Sequence, residues 1–97
     1  MTLAQVRVFV AVARCEHMTR AADSLNLAQS AASAAITALE TEYGVRLFDR
    51  VGRSIRLSAT GRAFLPEACA LLEHAEHAGT MLREAHRQTR LDAPTTG

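Results

Sequence analysis

The stretch TRAADSLNLAQSAASAAITALETEYG, residues 19–44, decides the fold, and VRLFDRVGRSIRLS, residues 45–58, completes it. Thr19 is a residue type that caps helix N-termini. Ala21, Ala22 and Leu25 give a short helix over residues 20–26 one apolar side, and Asn26 tolerates the left-handed backbone that ends a helix. Only Asn26, Leu27 and Ala28 separate it from a longer helix, residues 29–43, whose inner stripe is Ala32, Ile36 and Leu39 and whose stop is Gly44. A short helix, a tight turn and a longer helix make the helix-turn-helix pattern. Beyond Gly44 two runs alternate apolar and basic residues around Gly52. They read as two short strands with a basic tip, a wing.

Upstream, Leu3, Val6, Phe9, Val10 and Ala13 recur at spacings of three and four, and Val8 and Val12 widen the stripe. This predicts an amphipathic first helix that fades near Glu16 and His17. Downstream, Ser58 caps a helical pattern, with Thr60 sharing the role, that runs from Ala59 to about Gln88 past Pro66 and Gly79. Such a helix spans about 45 Å, more than a compact three-helix domain needs. Leu65, Ala68, Leu72, Ala75, Gly79 and Leu82, with Cys69 beside them, form a coiled-coil-like seam. The fold expected is mainly α: a winged helix-turn-helix of three helices and a two-stranded wing over residues 1–58, then a linker and dimerisation helix over 59–90. Residues 91–97 are expected to be a flexible tail or the start of a hinge.

Composition narrows the function classes. The chain has 97 residues, 48% of them hydrophobic and 22% charged, ordinary for one globular domain. No apolar run reaches the roughly 20 residues of a membrane span, and the N-terminus lacks a secretory pattern. Cys15 and Cys69 show no Cys-x-x-Cys spacing, so they read as small buried hydrophobes of a protein in the reducing cytoplasm. His74 and His77 lack a third ligand, which leaves metal without support. No glycine-rich nucleotide loop is present, and a short helical chain has little room for an enclosed pocket. Neither an enzyme nor a cofactor is expected.

The net charge is only +1, but all 11 basic residues are arginine, and Arg46, Arg50, Arg53 and Arg56 cluster on the wing. The only aromatic residues are Phe9, Tyr43, Phe48 and Phe64. So small a core gains from dimerisation, and two-fold symmetry in a helix-turn-helix protein implies an inverted-repeat site.

In order along the chain, Thr19-Arg20-Ala21-Ala22, Leu25, Gln29-Ser30-Ala31, Ser33, Ile36, Leu39-Glu40, residues 44–50 (GVRLFDR) and residues 57–61 (LSATG) resemble the N-terminal half of LysR-type transcriptional regulators. The resemblance covers about residues 3–72. It implies a winged helix-turn-helix domain followed by a linker helix that pairs antiparallel in a dimer. It also implies a C-terminal effector-binding domain, so the 97 residues look like the DNA-binding part of a longer regulator. By the same resemblance, the positions of Gln29, Ser30 and Ser33 contact DNA.

The chemistry of these residues fits that role. The Gln29 amide can bond both N6 and N7 of adenine in the major groove, Ser30 and Ser33 can reach a base edge or phosphate, and Ala34 or Ala31 can pack on a thymine methyl. Arg53, at the wing tip, suits a narrow minor groove. Base contacts are therefore assigned to Gln29, Ser30, Ser33, Ala34 and Arg53, and phosphate contacts to Thr19, Arg20, Ala31, Thr37, Arg50 and Arg56. Arg46 and Asp49 are alternatively partners of one another. The linker seam (Leu65, Ala68, Cys69, Leu72, Ala75, Gly79, Leu82) is assigned to the dimer interface.

Two departures stand out: Ala28 replaces a capping hydroxyl, and Ala34 and Ala35 replace long polar side chains. The helix of residues 29–43 carries no Arg or Lys, so DNA shape and the wing must supply much of the specificity. The expected partners are an inverted-repeat DNA duplex and a second copy of the chain, with a tetramer possible in a longer protein and no membrane. Two other readings are a helical interaction module without sequence-specific DNA binding, and a small stand-alone winged-helix repressor.

Overall fold

A computed structural model describes residues 1–52 and 54–92; Arg53 and residues 93–97 lie outside it. Four helices and a ribbon follow in order: α1 (Leu3–Cys15), α2 (Met18–Ser24), α3 (Gln29–Tyr43), β1 (Phe48–Val51), β2 (Ser54–Leu57) and α4 (Ala59–Asp92). The architecture is the winged helix-turn-helix with a long trailing helix. Among the described residues no helix is long and apolar enough to cross a membrane.

Helix α1 opens with a reciprocal cap. The Gln5 amide donates to Thr2 Oγ1 at 3.1 Å, and the Thr2 amide donates to Gln5 Oε1 at 3.0 Å. The helix ends at Glu16, a non-glycine residue in the left-handed region at φ 51°. Val6, Val8, Phe9, Val10, Val12 and Ala13 are buried. Leu3 is not: it is 44% exposed, because it stands about 120° around the helix from Phe9, at the edge of the stripe. Cys15 has the same problem on the other edge. It is exposed rather than buried, and Cys69 is half-buried with the Arg14 guanidinium 3.9 Å from its sulfur.

The cap of α2 is not Thr19. His17 takes that position, its Nδ1 accepting from the Arg20 amide at 3.2 Å, so the helix begins two residues earlier than the hydroxyl suggested and Thr19 lies within it. Asn26 adopts φ 57° in the turn. Ala21, Ala22 and Ala32 are at most 1% exposed; with no side chain beyond Cβ, they let α2 and α3 approach closely.

The ribbon is antiparallel, with Phe48 opposite Leu57, Asp49 opposite Arg56, Arg50 opposite Ile55 and Val51 opposite Ser54. Gly52 turns it at φ 61°. Asp49 thus faces Arg56 across the strands, and among the described residues it makes no ion pair with Arg46. Two side chains hold the ribbon to the helices. Glu40 Oε2 on α3 accepts from the Leu47 amide at 2.7 Å. Ser58 Oγ donates to the Arg46 carbonyl at 2.6 Å and accepts from the Gly61 amide at 2.9 Å, which makes Ser58, not Thr60, the cap of α4.

Helix α4 is 34 residues long and continues to Asp92, beyond the expected end near Gln88. Its start belongs to the N-terminal body. Phe64 stacks on Phe9 with ring centroids 4.8 Å apart, and Ala68 is fully buried. The winged unit therefore extends past Ser58. At Gly61 the crossing is so tight that a Cβ would lie 2.1 Å from the Leu47 carbonyl oxygen.

That oxygen is backbone and cannot swing aside. Gly61→Ala is expected to lower stability by about 2 kcal/mol or more, despite alanine's better helix propensity, and thermal unfolding followed by circular dichroism checks it.

Candidate nucleic-acid interface

Helix α3 turns Ala32, Ile36 and Leu39 inward and leaves Gln29, Ser30, Ala31, Ala34 and Thr37 exposed, with Ser33 half-buried. Ser30, Ser33, Ala34 and Thr37 lie on one arc of about 100°. This face carries hydroxyls and methyls and no charge. Ala28 is extended at φ −67°, ψ 146° and contributes no side-chain cap. The amides of Ala31 and Ala32 both donate to its carbonyl, at 3.0 and 3.1 Å. Nothing on the Ala28 side chain competes for the first amides of the helix, which point toward whatever lies against this end.

The ends of three elements meet at that point. His17, Met18 and Thr19 from the start of α2, Gln29 from the start of α3, and Arg50, Gly52, Ser54 and Ile55 from the wing line an open polar cleft of about 230 Å³. The cleft unites three of the residues selected from sequence, Thr19, Gln29 and Arg50. Strand alternation explains the arginine: Arg50 shares a ribbon face with buried Ile55, so it points back toward the helices. Arg56 is on the other face, beside Asp49, and is not part of the cleft. Arg20 is exposed on α2. Thr37 is separate again, next to Arg46 in a shallow depression shared with Glu40, Thr41, Gly44 and Val45. Arg53, assigned to the minor groove, lies outside the described residues.

Sequence reading missed His17 and Ser54. The signal for His17 was present: a side-chain acceptor stands three residues before Arg20, the spacing of an N-cap, but histidine is an unusual choice for it. With Nδ1 accepting, the neutral ring carries its proton on Nε2. Ser54 could be found only from ribbon register, which puts it opposite Val51.

The residues assigned to the dimer seam divide in two. Ala68 is in the core of its own chain, and Leu65, Cys69 and Leu72 pack against that core. A partner cannot use Ala68. Ala75 and Gly79 are half-buried and Leu82 is 65% exposed. Beyond the turns that pack on the core, apolar positions run through Leu71, Ala75, Ala78 and Leu82, at spacings of four, three and four. His74 and His77 have ring centroids 6.4 Å apart, and the described residues contain no group of three or more metal-ligating side chains.

Residues 3–62 match the model of the bacterial regulatory helix-turn-helix proteins of the lysR family. The chain is 43% identical over 96 residues to the uncharacterized HTH-type transcriptional regulator YeiE of Escherichia coli K12, matching 99% of this chain and 33% of that protein. The chain thus spans about a third of that relative's length. Its fold is similar to the CbnR DNA-binding domain in a crystal structure with DNA, at TM-score 0.82 and 38% identity over 89% of this chain and 99% of the other. The BenM DNA-binding domain on catB site 1 DNA is also similar, at TM-score 0.82 and 34% identity over 87% and 93%.

Removal of the imidazole acceptor separates the cap from the ring. His17→Ala is expected to cost about 1 kcal/mol of stability, whereas His17→Ser, which keeps an acceptor, stays within about 0.5 kcal/mol of the parent. Urea denaturation of the three proteins makes the comparison; equal losses in both variants would refute the cap.

Proposed function

The chain belongs to the lysR family of bacterial regulatory helix-turn-helix proteins, and we infer that it is the DNA-binding part of a transcriptional regulator that acts as a dimer on an inverted repeat. Its relatives are regulators and not enzymes. The observation that carries the reading is the convergence of Thr19, Gln29 and Arg50 on one open cleft where α2, α3 and the wing meet. Helix α3 enters the major groove, with Gln29 reading a base and Ser30, Ser33 and Ala34 adding short contacts. Thr19, Arg20 and Arg50 hold phosphates beside it, which sets register without reading sequence. Ala31, Thr37 and Arg56 make further backbone contacts along the duplex, and Arg53 enters the minor groove.

Pairing of α4 with α4 from a second chain, antiparallel about a two-fold axis, sets the spacing of the two recognition helices. The pairing surface is the distal part of the assigned seam, Ala75 to Leu82, together with Leu71 and Ala78. In a longer protein the dimers combine into a tetramer. The protein works in the cytoplasm, where DNA is, and needs no cofactor to bind it. The winged unit takes residues 1–58 together with the first turns of α4, and the remainder of α4 is the linker. An interaction module without sequence-specific DNA binding is not favoured, because the family match falls on the helices and wing that such a reading leaves idle.

Selection of bound duplexes from a random pool, with affinity read by fluorescence anisotropy at two salt concentrations, tests this reading. An interrupted inverted repeat should be enriched, and affinity should fall as salt rises. A pool that stays random, with salt-insensitive binding, would sink it.

Within the enriched site, Gln29→Ala is expected to relax preference at one base pair per half-site by about 1–3 kcal/mol of discrimination. Arg50→Ala should instead weaken all sequences alike and reduce the salt slope by about 1 per contact. Binding-site selection repeated with both variants distinguishes them.

A further inference from the structure

The imidazole of His17 has one nitrogen committed and one free. Nδ1 accepts from the Arg20 amide at 3.2 Å, which leaves the Nε2–H donor unused by the cap. The residue is pinned from both sides. The Glu16 amide before it donates to the Val12 carbonyl at 2.8 Å, and the His17 carbonyl accepts from the Ala21 amide at 3.0 Å. Met18 after it packs against the core. A ring held in this way at the edge of a cleft is pre-organised for a second partner.

The cleft indicates the kind of partner. Around His17 stand the hydroxyls of Thr19 and Ser54, the Gln29 amide and the Arg50 guanidinium, all able to donate a hydrogen bond. Among the described residues of the lining, Arg50 is the one fixed charge and no carboxylate is present. Donors gathered around a guanidinium without an acid suit an anion.

We propose that His17 is a DNA-contacting residue that donates from Nε2–H to a backbone phosphate as an uncharged group, while its Nδ1 keeps the cap of α2. This rests on the reading that the cleft faces the duplex, and adds to it a contact made by hydrogen bonding alone.

The role accounts for the residue. Serine caps a helix at least as well, but its single oxygen lies next to Cβ and serves the backbone. Imidazole holds the same acceptor and places a donor two bonds beyond Cγ. The end of the helix contributes nothing here, because the Arg20 amide is taken by the ring and the Ala21 amide by the His17 carbonyl. Nor does charge contribute. A ring that accepts at Nδ1 is neutral, since a proton there turns the acceptor into a second donor. A neutral donor fixes the position of the phosphate without releasing a counterion, unlike Arg50. A phosphate is the partner rather than a base edge because His17 starts α2, and the first helix of a helix-turn-helix crosses the DNA backbone.

Two variants of the 97-residue chain separate cap from contact. His17→Ser keeps an acceptor for the Arg20 amide and loses the reach. His17→Gln keeps an N–H donor at the reach of Nε2 and caps poorly. Urea denaturation should leave the midpoint of His17→Ser at that of the parent and lower that of His17→Gln. Fluorescence anisotropy on the enriched duplex should give the reverse order: His17→Ser binds roughly three- to tenfold more weakly, and His17→Gln within about twofold of the parent. The salt slope of His17→Ser should equal the parent's, whereas Arg50→Ala lowers it by about 1. Duplexes carrying a single methylphosphonate locate the phosphate: at one linkage per half-site the replacement should weaken the parent more than it weakens His17→Ser. Parent-like affinity in His17→Ser, equal losses in both variants, or a salt slope that falls as it does for Arg50→Ala overturns the uncharged contact while DNA binding itself stands. A parent chain that binds no duplex overturns the reading of the cleft and this contact with it.

Discussion

The structure depends on the ring of Phe9. It is fully buried, with the Phe48 ring 5.4 Å and the Phe64 ring 4.8 Å from it, centroid to centroid. These three residues come from α1, the first wing strand and the start of α4. The chain has few aromatics and many alanines, and this cluster holds all three of its phenylalanines. Tilted aromatic pairs contribute about 0.5–1.5 kcal/mol each beyond the area they bury. Orientation matters as much as energy. The pair with Phe48 determines where the wing leaves the body, and the pair with Phe64 determines the direction in which α4 departs.

The cleft where α2, α3 and the wing meet inherits its geometry from that cluster through a few backbone clamps. The Glu40 carboxylate holds the strand entry to α3, and Ser58 ties the strand exit to the cap of α4. Arg50 can therefore stand beside Gln29 with no direct bond between them. The chemistry of α3 itself is sparse: one amide, two hydroxyls at its start, and methyl groups. The charged side chains nearest to it come from elsewhere, with Arg50 of the wing lining the same cleft as Gln29.

Helix α4 serves two surfaces in succession. Its first turns complete the core through Phe64 and Ala68, and Gly61 lets it pass close to the Leu47 carbonyl. Its outer turns carry Met81, Leu82 and Leu91 into solvent. A helix that is apolar first on one side and then on another leaves the body at an angle set by the core and presents its remaining stripe outward. The regular spacing of the stripe from Leu71 to Leu82 matches that of a helix–helix seam.

Periodicity along one chain was enough to determine the order of elements, the limits of α3, the turn at Gly52 and the inner faces of α1 and α3. These depend on contacts within a few residues, and caps, glycines and the helical and strand repeats encode such contacts locally. Four features depended on the third dimension. His17 replaced Thr19 as the cap because backbone direction after Glu16, not hydroxyl chemistry, selects the first helical residue. Arg50 and Arg56 separated onto opposite faces because register decides which side of a ribbon a residue occupies. Leu3 and Cys15 came to the surface because the breadth of a buried stripe is set by what packs against it. Ala68 went to its own core because a stripe of small apolar residues has the same pattern whether it faces its own chain or a partner. Only the packing of α4 on Phe9 distinguishes those two possibilities.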